Sequence, residues 1–254
     1  MSAAAAIHPF TSDLTIDELL LLEDVGFEPL ELVLGASYFH IGYQSSAWSQ
    51  NQELTEMSQM MLLARQTAMA DIQRQAYELG ADGVLGMRIE IELEGHHAEF
   101  SAIGTAVRRR AGDGAKYRDQ HGRAFTCDLS GADFWALVRG GFRPVALVHG
   151  VCVYHVAHQG LGSWFKTASQ NCEMPAFTQA LYDARELALS RVQSEAANAG
   201  ATGGIVGVEV REGHYGWHSH VLEFMAVGTA VSPIVDATHE VHAEARTILS
   251  MRDD

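Results

Sequence analysis

Thirteen histidines in 254 residues make metal coordination the first chemistry to weigh. The sharpest group is His214-x-x-x-His218-x-His220. On an extended chain all three side chains fall on one face, because side chains alternate with a period of two. An H-x-H pair of imidazoles can chelate a borderline divalent ion, and Zn, Ni or Cu would suit such ligands. His96-His97 holds the corresponding place earlier in the chain. His96, His214, His218 and His220 are therefore the candidate metal ligands. The competing account is an exposed, His-rich hairpin that holds nothing, and the residues alone favour it.

A second group is His149-x-x-Cys152-x-x-His155-x-x-His158. On a strand His149 and His155 point one way while Cys152 and His158 point the other, so the four cannot meet on one ion without a bulge or a second chain. Glu99 and Glu223, near His96 and His220, could make a carboxylate–imidazole dyad for proton transfer; a solvated strand edge explains them more simply. The chain shows no nucleophile–histidine–carboxylate motif. Its three cysteines, Cys127, Cys152 and Cys172, form no CxxC. An odd number confined to the second half argues against a disulfide framework and suits a reducing cytoplasm.

Bulk properties exclude further classes. Lys and Arg number 17 against 32 Asp and Glu, a net charge of −15. That field repels phosphate, so no nucleic-acid partner is expected. No apolar run approaches the roughly 18 residues of a membrane span, and the N-terminus lacks the basic start of a signal peptide. A cytoplasmic protein is expected.

The elements that must carry these residues occur twice. Phe10-Thr-Ser-Asp-Leu14 returns as Phe125-Thr-Cys-Asp-Leu129. Gly26-Phe27, Pro29, Gly35, His40 and Gln44 return 115 residues later, and Gly104-Thr-Ala-Val107 returns as Gly228-Thr-Ala-Val231. So many collinear matches mark a tandem repeat. Thr15-x-x-Glu18 and Ser130-x-x-Asp133 suggest a capped short helix, closed by Gly26 or Gly141. β-rich runs follow at Leu30–Ile41 and Val145–Val156.

A long amphipathic helix comes next. Its stripe is Met57, Met61, Ala64, Ala68, Ile72, Ala76 and Leu79 in copy one, and Phe177, Leu181, Ala184, Ala188, Val192, Ala196 and Ala199 in copy two. Steps of three and four make one buried face, and the alanines imply close approach to whatever it covers. Two strands joined by a hairpin end each copy. The expected order is α–β–α–β–β, an α+β layer with the helix across an antiparallel or mixed sheet. The chain divides into repeat 1 at 1–110, a linker at 111–123, repeat 2 at 124–235 and a helical tail at 236–254, which either docks on its own domain or binds a protein partner. Arg65 and Arg185 hold matching helix positions, suited to an inter-subunit salt bridge or, failing that, an anion.

The long helix, the turn Leu79-Gly-Ala-Asp-Gly-Val-Leu-Gly86 and the closing Gly104-Thr-Ala-Val107 resemble the YbjQ-like family, whose usual label is heavy-metal-binding domain. The resemblance covers roughly Leu30–Arg108 and Val145–Ser232. Copy two departs from it, with Thr202 for the aspartate and an inserted glycine at Gly203-Gly204. The short N-terminal helices look like additions to the family core. The resemblance implies a small α+β fold that assembles into a ring, with homopentamers typical; it supplies no agreed ligand set. Five chains, each carrying two domains, could then build two stacked rings, one from each copy, or each chain could bridge separate rings into a cage or network; the divergence of the copies favours the stacked rings. The expected function is a non-enzymatic, ring-forming assembly or scaffold protein. Transition-metal binding or sensing by the His-rich hairpins is the alternative. A further one is an enzyme with an inter-subunit pocket near Arg65, Glu99 or His96.

Overall fold

The computed structural model describes residues 10–40, 50–94, 97–157, 175–214 and 221–234. Copy one runs α1 (Ile16–Asp24), β1 (Phe27–His40), β2 (Gln52–Glu53), α2 (Thr55–Glu78), β3 (Gly83–Glu94) and β4 (His97–Arg109). Copy two follows with β5 (Phe125–Thr126), α3 (Gly131–Arg139), β6 (Phe142–His155), α4 (Pro175–Asn198), β7 (Gly204–His214) and β8 (Val221–Pro233). This is the α+β tandem expected from the repeat. The helical tail expected at 236–254 lies outside the described residues.

Local signals behave as their chemistry dictates. Thr15 and Glu18 form a complete capping box on α1, and Ser130 Oγ accepts the Asp133 N–H on α3. Gly26 and Gly141 close these helices at φ of 76° and 82°, which an L side chain rarely adopts. The alanine stripe of α2 lies flat on β1. A Cβ added at Gly35 would stand 2.0 Å from the Ala68 carbonyl oxygen, and one at Gly150 would stand 2.0 Å from that of Ala188. The helix thus meets the strand backbone in both copies, as the small residues implied.

Each copy contributes three long antiparallel strands, β1-β4-β3 and β6-β8-β7. Both central pairs carry the same irregularity, between Leu85 and Arg88 and between Val206 and Glu209. The register also refines the alignment of the copies. Asp82 N–H donates to the Val107 carbonyl at 2.9 Å, and Gly203 N–H donates to that of Val231 at 2.8 Å. Gly203, rather than Thr202, therefore stands in the place of Asp82, and the extra residue of copy two precedes it.

The fourth strand of each sheet comes from the other copy. β5, in copy two, pairs in parallel with β3. β2, in copy one, pairs antiparallel with β6. The sheet orders are β1-β4-β3-β5 and β2-β6-β8-β7. The stretch expected as a linker packs against both copies. Tyr117 is buried beside Phe27, Arg118 pairs with Asp82 at 3.1 Å, and Gln120 donates to the Asn198 carbonyl at 2.9 Å.

Candidate functional site

The sequence pointed to two places, the His-rich hairpins and the matched arginines. Of the candidate metal ligands, His96, His218 and His220 lie outside the described residues. His214 ends β7, with its backbone paired to Leu222. Among the described residues no group of three or more His, Cys, Asp or Glu side chains gathers as metal ligands would. His149 and Cys152 stand on opposite faces of β6, as the strand period required. Cys152 is packed with Ala180 and Ala184 under α4. His149 faces copy one, its ring edge-on to Phe100 at 6.4 Å.

The matched arginine leads to a built site, the join between the copies. Arg65 is buried on α2. Its guanidinium donates to the Leu147 carbonyl of β6 at 2.6 Å and pairs with Glu195 of α4. Glu195 also accepts the His149 N–H at 2.6 Å. Arg65 therefore does form a salt bridge, but within one chain, between its two copies, and not between subunits as expected. Arg65 is buried but Glu195 is 34% exposed, so breaking the pair from the arginine side costs less than a fully buried pair would, about 1–3 kcal/mol. Glu195 was not foreseen, because copy one carries Gln75 at that place.

Further contacts fasten the same seam. Ser58 Oγ, fully buried on α2, accepts the Val153 N–H at 3.0 Å. Glu53 of β2 pairs with Arg191 of α4 at 2.7 Å. Below them β5 delivers Phe125 into a cluster with Phe27 and Phe134, the two phenyl rings of copy two stacked at 5.7 Å. Phe125 N–H donates to the Asp82 carbonyl at 3.0 Å, Cys127 N–H to that of Val84 at 3.0 Å, and Met87 N–H to that of Cys127 at 2.9 Å. The exchange was missed because a two-residue strand has no period to read. Its only trace was the repeated Phe-Thr ahead of each short helix.

The electrostatics of the seam follow burial. Desolvation, with the Arg65 charge next, pushes His149 down to about 3. Neither of its ring nitrogens meets a hydrogen-bond partner among the described residues. Burial pushes the Cys152 thiol up to about 12, so this thiol is no nucleophile. Burial alone lifts Glu223 of β8 to about 7. A cleft of about 420 Å³ opens between β3 and β7, with Arg88, Glu90, Asp128, Asp133, Glu209 and Arg211 in its wall. Arg65 and Glu99 do not line it.

The family model described as "Putative heavy-metal-binding" matches residues 49–110 and 148–233. Those two stretches make up more than half of the chain. The chain belongs to this YbjQ-like family. The match falls once in each copy, in agreement with the tandem repeat. The chain is also 48% identical over 225 residues to a Mycobacterium tuberculosis protein named an encapsulin nanocompartment protein, covering 87% of this chain and 85% of the relative. Among the described residues no helix is long and apolar enough to cross a membrane.

Proposed function

We propose that this YbjQ-like tandem protein is a non-enzymatic assembly protein that builds a ring in a protein nanocompartment. The observation that carries the reading is the join itself. Each sheet is completed by a strand from its neighbour copy, so the repeat unit is designed to be finished by another unit. The name of the mycobacterial relative points to the same kind of role. Self-association of five chains is the expected stoichiometry, and Cys127 and Cys152, free and buried among the described residues, suit a reducing cytoplasm. Two stacked rings, one from each copy, would need a contact between like copies. The contact available as a template joins unlike copies side by side.

The test is the mass of the intact, untagged chain in solution, by native mass spectrometry at several concentrations. A discrete multiple of 27.6 kDa is expected; a 27.6 kDa monomer throughout overturns the reading.

A second reading is transition-metal binding, favoured by the family's description. His96, His214, His218 and His220 are its proposed ligands, with Zn, Ni or Cu as the ion. Elemental analysis of protein purified without a His tag tests it. Metal that persists, and is lost with His218→Ala and His220→Ala together, supports it. Absence of bound metal, with no change in uptake between wild type and variant, removes it.

A further inference from the structure

The join inside the chain uses one side of copy one and the opposite side of copy two. Copy one presents the flank of α2 and the edge of β3. Copy two presents its leading segment, β5, and the outer face of β6. Each copy possesses the equivalent of both sides, so among the described residues each chain retains one uncovered side of each kind. Copy two has the flank of α4 and the edge of β7. Copy one has Phe10–Ser12 and the outer face of β1.

These unused sides are apolar where their counterparts are buried. Leu34 and Tyr38 of β1 are 53% and 62% exposed. Their counterparts in β6, His149 and Val153, are 1% and 0% exposed because copy one covers them. Phe10 is 50% exposed, whereas its counterpart Phe125 is fully buried on β3. Val208 and Val210 on β7 are exposed; the matching Met87 and Ile89 on β3 are buried, in a core that Leu147 of copy two helps to close. On the helices, Met57, Met61 and Arg65 are buried against copy two, while Phe177 and Leu181 are only half-buried and Arg185 is exposed. Exposed apolar residues on a free strand edge are what a soluble protein ordinarily hides or charges.

We infer that two chains join head to tail by repeating, between molecules, the strand exchange that joins the copies within one. The occupant of the β1 face is the α4 flank of a second copy of this chain, and Phe10–Ser12 adds in parallel to the edge of that copy's β7. The inference rests on the assembly reading above and names its surfaces. The observed pairs Gly83 with Phe125 and Val84 with Thr126 fix the register. By the same spacing Gly204 meets Phe10, and Ile205 meets Thr11. Arg185 comes to the Leu32 carbonyl as Arg65 comes to that of Leu147. Gln75, which holds the place of Glu195, already bonds the Leu34 backbone in both directions. The contact between chains therefore lacks the ion pair of the internal join. Such a contact is heterologous, so a closed ring holds the copies in alternation.

The geometry allows a decisive cross-link. Paired Cα atoms in adjacent strands lie within disulfide reach. Full-length Thr11→Cys and Ile205→Cys chains are oxidised separately and after mixing, with the wild type and its own cysteines as control. The mixture alone is expected to give a covalent dimer, and the double variant a ladder of higher species. A dimer from either single variant alone, a double variant that closes within a monomer, or no dimer from a mixture that remains assembled overturns the inference. The last result leaves the assembly reading standing. A second measurement uses Leu34→Glu with Tyr38→Glu, two exposed positions that the fold of the single chain does not need. Unchanged far-UV dichroism with association weakened ~100-fold or more supports the β1 face, and retention of the wild-type mass refutes it.

Discussion

Gly83 is the seat on which copy two's β5 rests, and its substitution tests the join from inside. A Cβ built at Gly83 would stand 2.1 Å from both Cε1 and Cζ of Phe125 and 2.4 Å from Cε2. Ordinary carbon contacts lie at about 3.5–4.0 Å, so the ring must retreat by about 1.5 Å. It has nowhere to go. Phe125 is fully buried, stacked on Phe134 and edge-on to Phe27. Gly83→Ala should therefore cost about 1–3 kcal/mol through overpacking. Phe125→Ala should cost about 3–5 kcal/mol through the cavity it leaves. In the double variant the new methyl enters that cavity, so the combined loss should fall short of the sum by about 1–3 kcal/mol. Urea unfolding at one fixed chain concentration, followed by fluorescence and far-UV dichroism together, measures the cycle. The concentration is held because assembly adds to apparent stability. Losses that add to within about 0.5 kcal/mol would refute the claim that Gly83 is small in order to admit Phe125.

Other expectations concern the same seam. Arg65→Met should destabilise the chain by about 1–3 kcal/mol, since the partly exposed Glu195 and the Leu147 carbonyl are left behind; the additional change Glu195→Gln should recover part of the loss in the same unfolding assay. His149, with a folded pKa of about 3 against an ordinary 6.5, takes up a proton on unfolding, so its contribution to stability falls as the pH drops from about 6.5 towards 3. His149→Leu, which installs the residue copy one carries at Leu34, should remove that contribution from the slope and raise stability by about 1–3 kcal/mol; a pH–stability curve identical in shape to the wild type's would contradict it. Glu223 has the opposite sign. Its folded pKa of about 7 lies above the ordinary 4.5, so a proton is held on folding and stability falls as the pH rises between those values. Glu223→Gln should flatten that limb of the thermal-melting profile.

Much of the fold was legible because its signals are periodic or stereochemical. The α2 stripe from Met57 to Ala76 is buried as its spacing requires, and Thr15, Gly26 and Gly141 cap helices where cap chemistry places them. The duplication was legible from collinear matches. What could not be read was the partner of each edge. Phe125-Thr126 and Gln52-Glu53 are too short to carry a pattern, and a parallel pairing between copies depends on tertiary placement alone. Arg65 was recognised as a salt-bridge residue, yet Glu195 was invisible because its counterpart is Gln75. The linker was expected from Ala111-Gly112-Asp113-Gly114; sequence gives the glycines but not Tyr117, which fills the space beside Phe27.

The exchange of strands also dictates the order of events during synthesis. The β3 edge is finished by Phe125-Thr126, which leave the ribosome some ~40 residues after Gly83. At about 5–20 residues per second that edge stays unpaired for roughly 2–8 s. Copy one thus cannot reach its final sheet as an independent folding unit, however complete its own strands are. On one message, a nascent chain whose β3 edge is still open can stand beside a longer one that has already made its β5. Linker length is then a kinetic safeguard: every residue added between the copies prolongs the interval in which a neighbour's strand can be taken up in error.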